Sequence, residues 1–147
     1  MTAPVFVDTN VLIYCRDASE AEKQQRAMEW MRYLWTTRGG RLSFQVLQEF
    51  YAVVTGKLDP GLEPEIARAD VRALLAWGPT RIDVVLIEGA WSLQDRHGLS
   101  WWDALIVSAA QLASCGYLLS EDLQPGQKFG NVVVVDPFQS GPESLGS

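Results

Sequence analysis

Four acids stand where this chain could do chemistry: Asp8, Glu49, Asp103 and Asp122. Asp8 follows the apolar run Val5, Phe6, Val7 and precedes Thr9 and Asn10. Asp122 closes a similar arrangement, in which Tyr117, Leu118 and Leu119 run into Ser120, Glu121 and Asp122. A short apolar run that stops at a polar turn reads as a buried strand. Ligand sites of open α/β sheets gather at the carboxyl ends of such strands. Glu49 and Asp103 fall in helical patterns and would enter that edge from the side. Two unit charges about 4 Å apart repel by roughly 4 kcal/mol at an effective dielectric of about 20. Four acids brought together therefore need protons or a cation. Oxygen-only ligands suit Mg²⁺ or Mn²⁺, ions that polarise a phosphodiester and activate water. His97 is the only histidine, and Cys15 and Cys115 lie far apart, so no zinc spacing is present.

The elements that would carry these acids can be read in order. Val11 to Tyr14 continue from Asp8 into a helix or turn with Asp8 to Asn10 at its N-terminus. Residues 19–38 form a predicted helix whose apolar stripe is Ala27, Met28, Met31, Leu34 and Trp35, stopped by Gly39 and Gly40. A short strand is expected over 41–44. Ser43 caps a second helix over about 45–56, with Val46, Leu47, Phe50, Val53 and Val54 on its apolar face. Pro64 opens a third helix running to about Trp77. An edge strand is expected over 81–84 and a helix over 86–97, closed by Gly98. The strongest helical signal covers 100–115, with Leu105, Ile106, Ala109, Ala110, Leu112 and Ala113 facing a sheet and Gly116 closing it. Strands follow at 117–119 and 132–135. The tail over 139–147, rich in Ser and Gly, is expected to be disordered. Strands alternating with helices give an α/β class, a three-layer α/β/α sandwich with a mostly parallel sheet.

Each acid has a plainer reading beside the chemical one. Glu49 borders the apolar face of its helix and could be a solvated edge residue. Ser100-Trp101-Trp102-Asp103 has the form of a capping box, so Asp103 could serve only the helix end. His97 at a helix C-terminus suits the helix dipole.

Composition bounds the rest. The 147 residues make one domain of ordinary size, 48% hydrophobic and 20% charged, with no run of membrane-spanning length and no visible signal peptide. The two thiols are expected to be reduced in a cytoplasmic protein. A net charge of −6 weighs against gripping nucleic acid by bulk electrostatics, yet suits a basic protein partner. It is compatible with a nuclease, because a bound divalent ion reverses the local field. The six tryptophans belong mostly to core or interface.

The chain resembles PIN-domain ribonucleases, in particular the VapC-type toxins of type II toxin–antitoxin pairs. The resemblance runs over about residues 5–138, leaving one domain over 1–138. It rests on VDTNVLIY around Asp8, the segment from Ser43 to Phe50 with Glu49, LSWWDALIVSAA around Asp103, and LLSEDL around Asp122. The closing VVVVDPF, and the loop with Gly126 and Gly130 before it, fit as well. The resemblance implies an Mg²⁺-dependent endoribonuclease, with Mn²⁺ as substitute, acting on structured RNA such as tRNA or rRNA. It implies Asp8 and Asp103 as direct metal ligands and Glu49 and Asp122 as acids acting directly or through water. Thr9, Asn10 and Ser120 would orient them, and Glu121 could replace Asp122. It further implies a homodimer and a cognate VapB-type antitoxin that offers a basic side chain to the acids.

Two other classes are open to these residues. An Mg²⁺-dependent phosphohydrolase forming an aspartyl-phosphate on Asp8 generally wants a second acid where Asn10 stands, and a late lysine, for which Lys128 is the candidate. A catalytically silent PIN-like binding module would keep the fold without turnover.

Overall fold

The computed structural model describes residues 3–146. Five strands form one sheet in the order β2-β1-β3-β5-β4: β1 is Val5–Val7, β2 Gly40–Arg41, β3 Tyr117–Leu119, β4 Lys128–Phe129 and β5 Val132–Val135. The pairs β1–β2, β1–β3 and β3–β5 are parallel, and only β4 runs antiparallel, against β5. In register, Val7 lies beside Leu119 and Leu119 beside Val135. The acidic ends of β1 and β3 are thereby neighbours. Val5, Phe6 and Val7 are all buried, as a strand covered on both faces requires.

Among the described residues six α-helices accompany the sheet: α1 (Thr9–Tyr14), α2 (Ala21–Thr37), α3 (Phe44–Gly56), α4 (Pro64–Leu74), α5 (Val84–His97) and α6 (Trp101–Leu112). The expected class, a mostly parallel sheet between helices, is the one observed. Ser43 caps α3 through the amide of Val46, and Ser100 caps α6 through the amide of Asp103. Pro64 opens α4, which tightens into a 3₁₀ turn over Leu75–Trp77. Residues Ala104 to Ala110 of α6 are buried, and the helix packs on α5 and against β3 and β5.

Several local expectations are corrected. Helix α2 ends on Arg38, which takes the left-handed turn itself at φ 60°, and Gly39 and Gly40 follow it. Gly40 has a packing reason instead: a Cβ there would run into the Trp77 ring. Ser114, at φ 56°, likewise makes the left-handed turn after α6 that Gly116 was expected to make. The buried stripe of α2 is Ala27, Trp30 and Leu34, whereas Met28 and Trp35 are exposed. These two line an open, mostly apolar groove of about 390 Å³ with Leu12, Met31, Phe50 and Leu74, edged by Arg32 and the Arg16–Asp70 ion pair. A helix with two apolar stripes thus meets the core with one and the surface with the other. Residues 81–83 form no strand, because Asp83 caps α5 through the amide of Leu86 and turns the chain into the helix.

The tail is also corrected over the residues described. Pro142–Leu145 form a 3₁₀ turn in which Pro142 and Leu145 are buried. The indole Nε1 of Trp30 donates to the carbonyls of Pro137 and Ser140, and the Tyr117 hydroxyl donates to that of Leu145. Composition marked these residues as polar and small, but two apolar side chains and donors from distant elements hold them. Ser147 lies outside the described residues.

Candidate active site

Asp8 is the N-cap of α1, in extended backbone at the end of β1. Its carboxylate is 6% exposed and accepts from the Thr9 amide at 2.7 Å and from the Ser120 hydroxyl at 2.8 Å. Ser120 directly follows β3, so this bond ties the ends of the neighbouring strands β1 and β3 together. The Ser120 hydroxyl also accepts from the amide of Asp122 at 3.1 Å. The Asp122 carboxylate in turn accepts from the Asn10 side-chain amide at 3.0 Å.

Charge shows which acids share this space. Burial pushes the Asp8 carboxyl up to about 7, with hydrogen bonds from Ser120 and Thr9 opposing and the charges of Asp122 and Asp103 adding to the rise. Asp103 is raised as well, first by burial, with the Ser100 hydroxyl opposing and the Asp122 charge adding. The three aspartates therefore form one mutually repelling group. The Asp103 amide donates to the Ser100 hydroxyl at 3.1 Å, and that hydroxyl also acts on the Asp103 carboxyl, while among the described residues no bond returns from the carboxylate to the Ser100 amide.

Glu49 is not brought into the same group. Its side chain is exposed, accepts from Gln45 at 2.9 Å and is absent from the charges acting on Asp8 and Asp103. Its helix α3 does pack on α1, which begins at Asp8. Glu121 and Asp122, adjacent in sequence, part company. Glu121 turns to Lys23 and Tyr14, accepting from each at 2.8 Å, while Asp122 faces Asn10 and the other aspartates. His97 packs edge-on against the Phe129 ring, 5.0 Å between centroids.

The donors present are carboxylates, hydroxyls and amides, the hard oxygens that Mg²⁺ and Mn²⁺ take. Thr9 Oγ1 and Asn10 Oδ1 are buried oxygens without a hydrogen-bond partner. Unpaired buried oxygens beside repelling carboxylates fit a cation in both type and charge. Among the described residues no three His, Cys, Asp or Glu side chains already stand close enough together to enclose an ion. The fit is thus one of donor chemistry.

A family profile described as the PIN domain matches residues 5–126. The chain belongs to the PIN-domain family. That match takes in Asp8, Glu49, Asp103 and Asp122, and the fold agrees with it. One solved structure like this PIN domain is the VapC20 toxin of Mycobacterium tuberculosis, described as cleaving the sarcin–ricin loop. It is 19% identical, with a TM-score of 0.56 over 78% of this chain and 86% of its own. Another is a toxin–antitoxin complex from Klebsiella pneumoniae, 19% identical, with a TM-score of 0.58 over 90% of this chain and 97% of its own. At this identity the two establish a shared fold. Among curated proteins none matches the chain.

Sequence reasoning missed Lys23, Tyr14 and Phe138 as neighbours of the site. Lys23 sits in the first turns of a surface helix, and no local pattern distinguishes it from the other basic residues of α2.

Proposed function

We propose that this PIN domain is a metal-dependent endoribonuclease and the toxin of a toxin–antitoxin pair. The observation that carries the reading is the hydrogen-bonded carboxyl edge of the sheet, where Ser120 joins Asp8 and Asn10 joins Asp122, with Asp8 buried and raised despite its two bonds. The likeness in fold to VapC20 and to the Klebsiella complex supports the substrate class and the kind of partner.

In this reading Asp8 and Asp103 hold the ion directly, Asp122 directly or through water, and Glu49 through water from α3. Bound there, Mg²⁺ or Mn²⁺ would offset the three charges, polarise a phosphodiester and lower the pKa of a water. The chain's own part is positional. Ser120 and the Thr9 amide fix both oxygens of Asp8, so its carboxylate cannot rotate away from its neighbours. Asn10 holds Asp122 on the same side.

An antitoxin covering the acids with a basic side chain, a homodimer and a cytoplasmic setting complete the proposal. A net charge of −6 supports a basic partner. The open apolar groove between α1, α2 and α4 supports a protein one. Exposed Val84, Val85 and Trp91 on α5, with Trp102 at the start of α6, support contact with a second copy. No helix among the described residues is long and apolar enough to cross a membrane.

The test is cleavage of a total-RNA pool by purified, antitoxin-free protein, with Mg²⁺, with EDTA, and with Asp8→Asn replacing wild type. Discrete products that require both the metal and Asp8 are expected, and their ends would identify the target. Products that persist in EDTA, or with Asp8→Asn, would overturn the reading.

A further inference from the structure

Lys23 and Glu121 are joined across 98 residues of sequence at the rim of the aspartate group. The Lys23 ammonium donates to Glu121 at 2.8 Å and lies 3.3 Å from the Tyr14 hydroxyl, which itself donates to the other oxygen of Glu121 at 2.8 Å. The same ammonium sits over two rings, 4.8 Å from the Tyr14 centroid and 5.3 Å from that of Phe138. Those rings pack edge-to-face at 5.0 Å. Four separate stretches meet here: the end of α1, the first turns of α2, the loop after β3 and the segment after β5. Two ring contacts and a shared carboxylate make this pair more constrained than an isolated surface ion pair.

The loop after β3 has no regular structure, yet Asp122 must stay against two other carboxylates that repel it. It is pinned on one side by Ser120, bonded to Asp8, and on the next residue by Glu121. We propose that Lys23, acting through Glu121 with Tyr14, is a positioning residue that latches the loop after β3 and so holds Asp122 in the metal site. Glu121 is then a tether and not a ligand. The inference rests on the metal-site reading given above.

The sign of the effect separates a latch from simple electrostatics. Removing a positive charge beside a cation site should tighten cation binding by Coulomb's law. Removing a latch should loosen it, because outer-shell partners typically cost tenfold or more in metal affinity when lost. The experiment is Mn²⁺ titration by calorimetry on the full chain. It compares wild type, Lys23→Met, and the charge-swapped pair Lys23→Glu with Glu121→Lys, with circular dichroism confirming that each is folded. Hydrogen exchange of the amides over 120–123 in metal-free protein is followed in parallel. The latch predicts about tenfold weaker Mn²⁺ binding for Lys23→Met, faster exchange in that loop, and recovery of most of the affinity in the swapped pair. Affinity unchanged or tightened in Lys23→Met would overturn the proposal. So would weakening that the swapped pair fails to restore. Wild type that takes up no Mn²⁺ would overturn the metal-site reading itself, an outcome distinct from either.

Discussion

At the scale of single residues, Asp8 is the most constrained group of the site. It is buried at the end of a strand, bonded by an amide and a hydroxyl, and still raised to about 7 because burial outweighs both bonds. The consequence for stability has a definite sign. From the ordinary value of 3.8 up to about 7 the folded state holds a proton that the unfolded chain has released, so stability falls as pH rises through that window. At about 1.4 kcal/mol per pH unit, the whole interval amounts to roughly 4 kcal/mol. Asp8→Asn keeps position 8 neutral at every pH. Metal-free Asp8→Asn should therefore match wild type near pH 4 and exceed it by about 2–4 kcal/mol at pH 8. Urea unfolding at several pH values in EDTA would show this. A gap that does not widen with pH would mean that Asp8 is not buried as described.

At the scale of elements, the C-terminal turn is held by groups far away in sequence. Trp30 on α2 donates its one N–H to two carbonyls, those of Pro137 and Ser140, and its ring is fully buried. Trp30→Phe keeps most of the apolar volume and leaves both carbonyls unpaired. A loss of about 1–3 kcal/mol is expected, since an unpaired buried acceptor costs its desolvation. The same variant should be nicked by protease within 139–146 well before the rest of the chain. Equal resistance in both proteins would show that Pro142, Leu145 and the Tyr117 bond secure the turn without Trp30. This element also touches the site indirectly, because Phe138, one residue after Pro137, carries one of the rings under Lys23.

At the scale of the whole molecule, α5 and the start of α6 leave large apolar side chains open. Val84 and Val85 are 65% and 58% exposed at the start of α5, and Trp91 and Trp102 are as open. Trp91 also stacks on Trp101, so α5 and the start of α6 offer aromatic and branched side chains together. Patches of this kind mark association surfaces more often than free surface. Light scattering at micromolar concentration should give a dimer mass for wild type and a monomer mass for Val85→Asp. A monomer for both would remove the homodimer from the proposal.

Much of this protein could be read without its structure because the relevant signals are local. Apolar runs ending in acids located β1 and β3, and capping residues such as Ser43 and Ser100 located the helices that follow them. The short β4 was missed, since two residues carry no periodicity and their pairing with β5 is not a local property. The stripe of α2 was misread because Met28 and Trp35 are as apolar as Trp30, and only packing decides which face turns inward. Sequence by itself determined the fold class and the identity of the strand-end acids, through patterns spanning a few residues each. Only the tertiary structure sets Glu121 and Asp122 apart. The two are adjacent carboxylates in the same turn, and what separates them is a lysine 98 residues earlier that claims one and leaves the other to the aspartates.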